Sequence, residues 1–287
     1  MNMQKFPIGV ILDSFRAGFQ GGIEKAKALG VQGLQIYAVH GEIAPENLTP
    51  AKTAEYRKMI ADAGLVVSAL CGDMGGGFTK PAENPARIEK SKRIIDVALE
   101  MGTNIVTTHI GVVPQDKNEE RFKILQEACN ELGEYAQKHN AWFAIETGPE
   151  TCNTLGAFLD SLDSKGVGVN FDPANLVMVV ADDVVAGVHR LKDYIVHTHA
   201  KDGVMFHQVD ARVTYDNFTH EGLAELGELF REVPLGEGGV DFDGWIGALD
   251  AIGYHGFLTI EREVGDTPEK DIGLAVDFLR TKTAKYQ

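Results

Sequence analysis

Val167-Gly168-Val169-Asn170-Phe171-Asp172 is a six-residue, strand-like run whose two sides carry different chemistry. Side chains alternate along a strand, so Val167, Val169 and Phe171 make one apolar side, while Gly168, Asn170 and Asp172 make the other. A strand with bulky apolar residues on one side and small, polar and finally acidic residues on the other fits a closed barrel. Its apolar side packs under helices, and its inner side ends in a functional group at the carboxyl end.

The same division recurs in the neighbouring apolar runs. In Ala141 to Glu146, Phe143 and Ile145 oppose Ala144 and Glu146. In Tyr194 to His199, Val196 and Thr198 oppose His197 and His199, and in Phe257 to Glu261, Leu258 and Ile260 oppose Thr259 and Glu261. Four further runs precede these: Ile8 to Leu12, Gly33 to Ala38, Val66 to Cys71 and Asn104 to Ile110. Eight β-rich runs alternating with longer amphipathic stretches predict an α/β fold, a (β/α)8 TIM barrel, occupying residues 1–287 as a single domain. A doubly wound open sheet is the other fold with this alternation, but no G-x-G-x-x-G follows the first strand.

Punctuation between the strands agrees. Thr49-Pro50 and Asn84-Pro85 each place an N-cap type before Pro at the first helical position. Gly30, Gly64, Gly102 and Gly253 each fall where a helix stops just before a strand. Gly72-Asp73-Met74-Gly75-Gly76-Gly77 reads as a flexible loop after the third strand, available to substrate. The stretch from Gly203 to Asp241 exceeds what one helix and two short loops need, and is expected to form a lid or an insertion packed on the rim. It contains Asp216-Asn217-Phe218-Thr219-His220 and Pro234-Leu235-Gly236-Glu237-Gly238-Gly239.

A formal net charge of −15 opposes nucleic-acid binding, whose affinity comes from Lys and Arg neutralising phosphates. Cys71, Cys129 and Cys152 are odd in number and form no C-x-x-C, so neither a disulfide framework nor a zinc knuckle is expected, and a reducing cytoplasm fits. The start, Met1-Asn2-Met3-Gln4-Lys5-Phe6-Pro7, lacks the pattern of an export signal. No apolar run approaches the roughly 20 residues of a membrane helix.

Asp and Glu supply 42 and His 9 of the 287 residues, so four strand ends named in advance would all carry one about once in a thousand trials. Singly, a carboxylate at a strand end is usually a helix cap or an ion-pair partner. Together, Glu146, Asp172 and Glu261 would repel: like charges about 4 Å apart cost roughly 4 kcal/mol per pair at an effective dielectric of 20. A divalent cation removes that conflict. Three oxygen donors and the imidazole of His199 suit Mn²⁺ as the preferred ion, with Mg²⁺, Co²⁺ or Zn²⁺ as alternatives.

At these residues the chain resembles the sugar phosphate isomerase/epimerase family, the xylose isomerase-like TIM barrels that include tagatose and allulose 3-epimerases. The resemblance spans nearly the whole chain. It is carried by Thr108-His109-Ile110-Gly111, Glu146-Thr147-Gly148-Pro149-Glu150-Thr151, Asn170-Phe171-Asp172-Pro173-Ala174-Asn175, His197-Thr198-His199-Ala200-Lys201-Asp202 and Thr259-Ile260-Glu261-Arg262-Glu263. It implies one metal held by Glu146, Asp172, His199 and Glu261, gripping a ketose through its carbonyl and adjacent hydroxyl. Glu146 and Glu261 are then the catalytic pair, one removing a proton from the carbon between them and the other returning it from the opposite face.

The resemblance is imperfect at two positions. Asn175 stands where the ketose 3-epimerases carry a substrate-contacting His, and Lys201-Asp202 follow His199 where those enzymes place an Arg. Substrate contacts are expected at His109, Glu150, Asn175 and Lys201, the last either binding an anionic group or pairing with Asp202. His197, one layer below His199, is expected to orient a ligand, and the outward Arg262 to pair with Glu263 or another rim acid.

The function expected is a metal-dependent isomerase or epimerase acting on a keto-sugar, sugar phosphate or 3-keto-glycoside. A lyase using the same proton abstraction is the nearest alternative; an endonuclease IV-like nuclease and a silent sugar-binding barrel are more distant ones. The partner is a small-molecule sugar rather than nucleic acid or membrane, and a homo-oligomer, dimer or tetramer, is the expectation from the fold.

Overall fold

The computed structural model of the chain describes residues 5–216, 218–219 and 222–286. Ten strands occur among them: β1 (Ile8–Ile11), β2 (Gly33–Tyr37), β3 (Val66–Cys71), β4 (Ile105–Thr108), β5 (Trp142–Glu146), β6 (Val167–Phe171), β7 (Ile195–Ala200), β8 (Asp202–Met205), β9 (Phe230–Val233) and β10 (Leu258–Ile260). Eight of them close a parallel barrel in the order β1-β10-β7-β6-β5-β4-β3-β2, with β8 and β9 set apart as an antiparallel pair. The predicted barrel and its eight strands are therefore present, each boundary within about two residues of the reading, the usual spread at element ends.

Helices α1 (Gly18–Leu29), α2 (Pro50–Asp62), α3 (Asn84–Met101), α4 (Glu120–Lys138) and α5 (Cys152–Leu159) follow strands β1 to β5 in turn. A single short turn, α6 (Pro173–Asn175), and α7 (Val184–Arg190) follow β6. The short α8 (Arg212–Tyr215) precedes β9, α9 (Phe242–Ala251) leads into β10, and α10 (Pro268–Thr283) closes the ring.

Thr49 caps α2 as its sequence predicts, accepting a bond from Lys52 N at 3.3 Å. Asn84 does not cap α3: its buried side chain donates to the Phe78 carbonyl at 2.9 Å, holding the preceding loop instead. The four predicted stop glycines all take left-handed φ, at 66°, 79°, 92° and 76° for Gly30, Gly64, Gly102 and Gly253.

Apolar faces of the strands pack outward against the helices. Val169, Phe171, Phe143, Leu258 and Ile260 are all at most 1% exposed. Phe257 fills the amino-terminal end of the barrel: a Cβ at Gly33 would lie 2.4 Å from its ring, so only glycine admits it. Inside, the layer below the carboxyl end is polar, with Asn170, His197, Thr259 and Gln35 all at most 1% exposed. Buried polar groups require partners, and theirs lead to the strand ends.

The 203–241 stretch, read as a lid or rim insertion, builds the β8–β9 ribbon and α8, and supplies walls over the carboxyl face. Asn217 and His220 of the motif singled out there lie outside the described residues, as do Met1 to Gln4. Asp202 fixes the glycine-rich 234–239 segment, accepting from the backbone N of Gly236, Gly238 and Val240 at 2.9, 2.9 and 3.1 Å.

Candidate metal centre

Glu146 ends β5, Asp172 follows β6, His199 lies near the end of β7 and Glu261 follows β10. One ligand atom from each falls within 4.8 Å of the others. All four are buried, Asp172 completely. His199 Nδ1 lies 3.1 Å from Glu261 Oε2, 3.5 Å from Asp172 Oδ2 and 3.6 Å from Glu146 Oε2.

Local structure aims each donor. Asp172 caps α6, its Oδ1 accepting from Ala174 N and Asn175 N at 2.8 and 3.0 Å. Its Oδ2 is buried without any hydrogen-bond partner. A buried carboxylate oxygen without a hydrogen bond is costly, and this one points at the other donors, 3.5 Å from His199 Nδ1. Thr147 ties two strand ends together, donating to the Asp172 carbonyl at 2.9 Å while accepting from Asp172 N at 2.8 Å.

His199 Nε2 meets Gln35 Oε1 at 3.0 Å and Asn170 Nδ2 at 3.1 Å, which fixes the ring so that Nδ1 faces the carboxylates. Gln35 in turn donates to Thr107 Oγ1 at 3.2 Å. Sequence reading passed over Gln35, although a Gln between Leu34 and Ile36 in an otherwise apolar strand was a signal that its side faced something polar.

A hydrogen-bonded chain supports Glu146. Thr259 Oγ1 meets His197 Nε2 at 3.1 Å, His197 Nδ1 meets Asn170 Oδ1 at 2.9 Å, and Asn170 Nδ2 donates to Glu146 Oε2 at 3.0 Å. Burial, then the neighbouring His199, holds the His197 pKa well below 6.5, so the ring is neutral and donates only through Nδ1. His197 is thus connected to Glu146 through Asn170.

Asn175 Nδ2 donates to the other oxygen, Glu146 Oε1, at 3.0 Å. His109 Nε2 approaches the same oxygen at 3.6 Å, and its Nδ1 bonds Asp73 Oδ2 at 2.9 Å. Burial alone would lower the His109 pKa; the carboxylates of Glu146 and Asp73 outweigh it and push it up to about 9.

Lys201 does not pair with Asp202. Its buried ammonium reaches Glu261 Oε2 at 3.1 Å and Glu263 Oε2 at 2.9 Å. Arg262 likewise bypasses Glu263 and bonds Glu232 at 2.6 Å and Asp271 at 2.9 Å.

A cavity of about 670 Å³ opens above the cluster, lined by Glu146, His199, Glu261, His109, Asn175 and Lys201 among others. Four of the expected contact residues thus reduce to three at the cavity. Glu150 does not line it: the carboxyl is buried and accepts from Val113 N at 2.9 Å, serving the loop after β4. Tyr215 of α8, which no motif flagged, forms part of the wall and meets the His109 ring at 5.0 Å.

Residues 23–282 match the model of the xylose isomerase-like TIM barrel family, and the chain belongs to that family. Among proteins of assigned activity, it is similar to an inosose dehydratase from Geobacillus thermodenitrificans, 28% identical over 202 residues, which cover 64% of this chain and 65% of the relative. The chain spans just under two thirds of the length of the curated relatives it matches. Among solved structures, a xylose isomerase domain protein from Planctomyces limnophilus superposes with a TM-score of 0.79 at 26% identity, covering 98% of each chain. A D-psicose 3-epimerase from Clostridium cellulolyticum H10, solved with D-tagatose, gives 0.71 at 13% identity, covering 97% of this chain and 99% of that one, and shares the fold.

Proposed function

We propose that this protein binds one divalent cation through Glu146, Asp172, His199 and Glu261, and catalyses proton transfer at the carbon beside the carbonyl of a sugar-derived hydroxyketone. The observation that carries this reading is the buried, unpartnered Asp172 Oδ2 converging with three other donors beneath a cavity. A cation there would polarise the carbonyl and stabilise the negative charge that develops on its oxygen. Mn²⁺ and Mg²⁺ suit three carboxylates and an imidazole.

The chain's own residues divide the remaining work. Glu146 and Glu261 reach the centre from different strands, so they can serve as base and acid on different sides of a bound ketone. Their surroundings differ. Asn170 and Asn175 donate to Glu146, whereas Lys201 donates to Glu261. For both glutamates burial alone would raise the pKa; His109 and His199 around Glu146, and Lys201 and His199 around Glu261, outweigh it and hold both below the usual range. Both are thereby kept ionised and ready to accept a proton. The 203–241 insertion, through Tyr215 and β9, walls one side of the site.

Return of the proton to the same carbon from the other side gives an epimer, and return to the carbonyl carbon gives an isomer. Loss of a hydroxyl from the next carbon instead gives dehydration, a second outcome favoured by the similarity to the inosose dehydratase. One experiment tests the shared step. Candidate ketoses and inososes incubated with the Mn²⁺-loaded protein in D₂O should either gain deuterium at carbon, read by NMR, or develop the enone absorbance that identifies dehydration; neither signal in any of them would refute the proposal.

A further inference from the structure

Resting on the proposed ketone chemistry, we infer that the substrate is uncharged and carries a second group beyond its reacting ring, as an aryl glycoside or disaccharide does. The cavity over the four ligands does not end at them. Tyr37 and Asp73 line both this cavity and a neighbouring chamber of about 830 Å³. Pockets of roughly 300–1,000 Å³ accommodate whole drug-sized ligands, so the first chamber alone exceeds what one sugar ring fills.

The second chamber is built to receive an apolar or ring-shaped group. Tyr37 and His40, stacked on each other with centroids 5.6 Å apart and planes 7° from parallel, both line it. Val39 and Met74, both half-buried, complete it. Flat aromatic surfaces ringed by polar groups bind bodies that are apolar on one face and hydroxylated at the edge. The loop bearing Met74 is held in place: Gly75 N donates to Asp73 at 2.7 Å and Arg87 to the Gly75 carbonyl at 2.6 Å. Gly77 lets it turn close, since a Cβ there would sit 2.1 Å from the Ile110 carbonyl oxygen.

Charge disfavours a phosphorylated substrate: the His109 ring at the cavity is already held by Asp73 at 2.9 Å and faces Glu146 at 3.6 Å. Among the described residues, every Lys and Arg lining either chamber is already committed. Lys201 is taken by Glu261 and Glu263, Arg262 by Glu232 and Asp271, and Arg231 by Glu228. Arg87 is held by Glu83 and Gly75, and Lys90 by Glu46 and Val39. A phosphate dianion would have to break one of these pairs and enter beside Asp73, Glu232 and Glu263, each of which repels it.

Calorimetric titration of the Mn²⁺-loaded protein with unreactive probes decides this without reference to turnover. Phenyl β-D-glucopyranoside should bind at least about tenfold more tightly than D-glucose, and D-glucose 6-phosphate no more tightly than D-glucose. In the His40→Ala/Met74→Ala protein the aryl advantage should fall to about threefold or less. Equal affinity for the aryl glucoside and glucose, no measurable binding of the aryl glucoside, tightest binding by the sugar phosphate, or an unchanged advantage in the double variant would each overturn the inference. Absence of both deuterium exchange and enone with every ketone alongside an intact tenfold advantage would instead sink the proposed chemistry and leave the two-chamber assignment standing.

Discussion

At the scale of single residues, Glu261 and Glu150 show what a carboxylate's surroundings decide. Glu261 converges on three other donors and should transfer a proton; Glu261→Gln keeps the shape and a ligating oxygen but not the base. Solvent exchange and turnover should fall by about 10²–10⁴-fold, with the circular dichroism spectrum unchanged, and an active Gln variant would remove Glu261 from the catalytic pair. Glu150 is four residues from Glu146 and has the same carboxyl, yet burial pushes its pKa up to about 8 from the ordinary 4.5. The folded state therefore holds a proton that the unfolded chain releases, so its stability falls as pH rises between those two values, by up to about 1.4 kcal/mol per unit. Glu150→Gln abolishes that loss. Denaturant unfolding at pH 6 and pH 8.5 should show the variant gaining on the parent as pH rises; a constant difference would refute the assignment. Sequence placed both glutamates near substrate, because a carboxylate facing a cavity and one facing a loop amide are spelled alike.

At the scale of elements, strand parity was legible and the partners of the insertion were not. The alternation in each of β5, β6, β7 and β10 is a local property, so two neighbours suffice to tell which side Glu146, Asp172, His199 or Glu261 occupies. Arg262 was read as pairing with Glu263 or another rim acid, but its partner Glu232 lies on β9, 30 residues earlier, and no periodicity links them. That buried pair fastens the ribbon to the barrel end, where Glu263 N also donates to Glu232 Oε1 and Oε2, each at 3.2 Å. Arg262→Met leaves Glu232 with only the Lys201 ammonium 3.9 Å away and takes the Arg262 partner from Asp271, which should destabilise the protein by about 3 kcal/mol in urea unfolding. Adding Glu232→Gln should recover much of that loss. A change under about 0.5 kcal/mol in the single variant would show that the pair does not anchor the ribbon.

At the scale of the whole molecule, the four proposed ligands come from positions 146, 172, 199 and 261, so the centre exists only when the barrel has closed β10 onto both β7 and β1. A cation binding there binds the native state alone, and its affinity becomes folding stability. In the ion-free protein the carboxylates find another counter-charge. Burial would lower the His199 pKa, but Glu261 and Glu146 raise it well above 6.5, so the ring carries an extra proton at neutral pH. A cation must displace that proton to reach Nδ1. Binding of Mn²⁺ at pH 7 should therefore release about one proton, measured as the dependence of the calorimetric heat on buffer ionisation enthalpy. At about a hundredfold excess over Kd it should add roughly 2.7 kcal/mol of stability, about 5 °C in Tm, reversed by a chelator. Binding with no proton release would mean that His199 Nδ1 is not a ligand, and a Tm indifferent to both metal and chelator would mean that the four strand ends hold no ion.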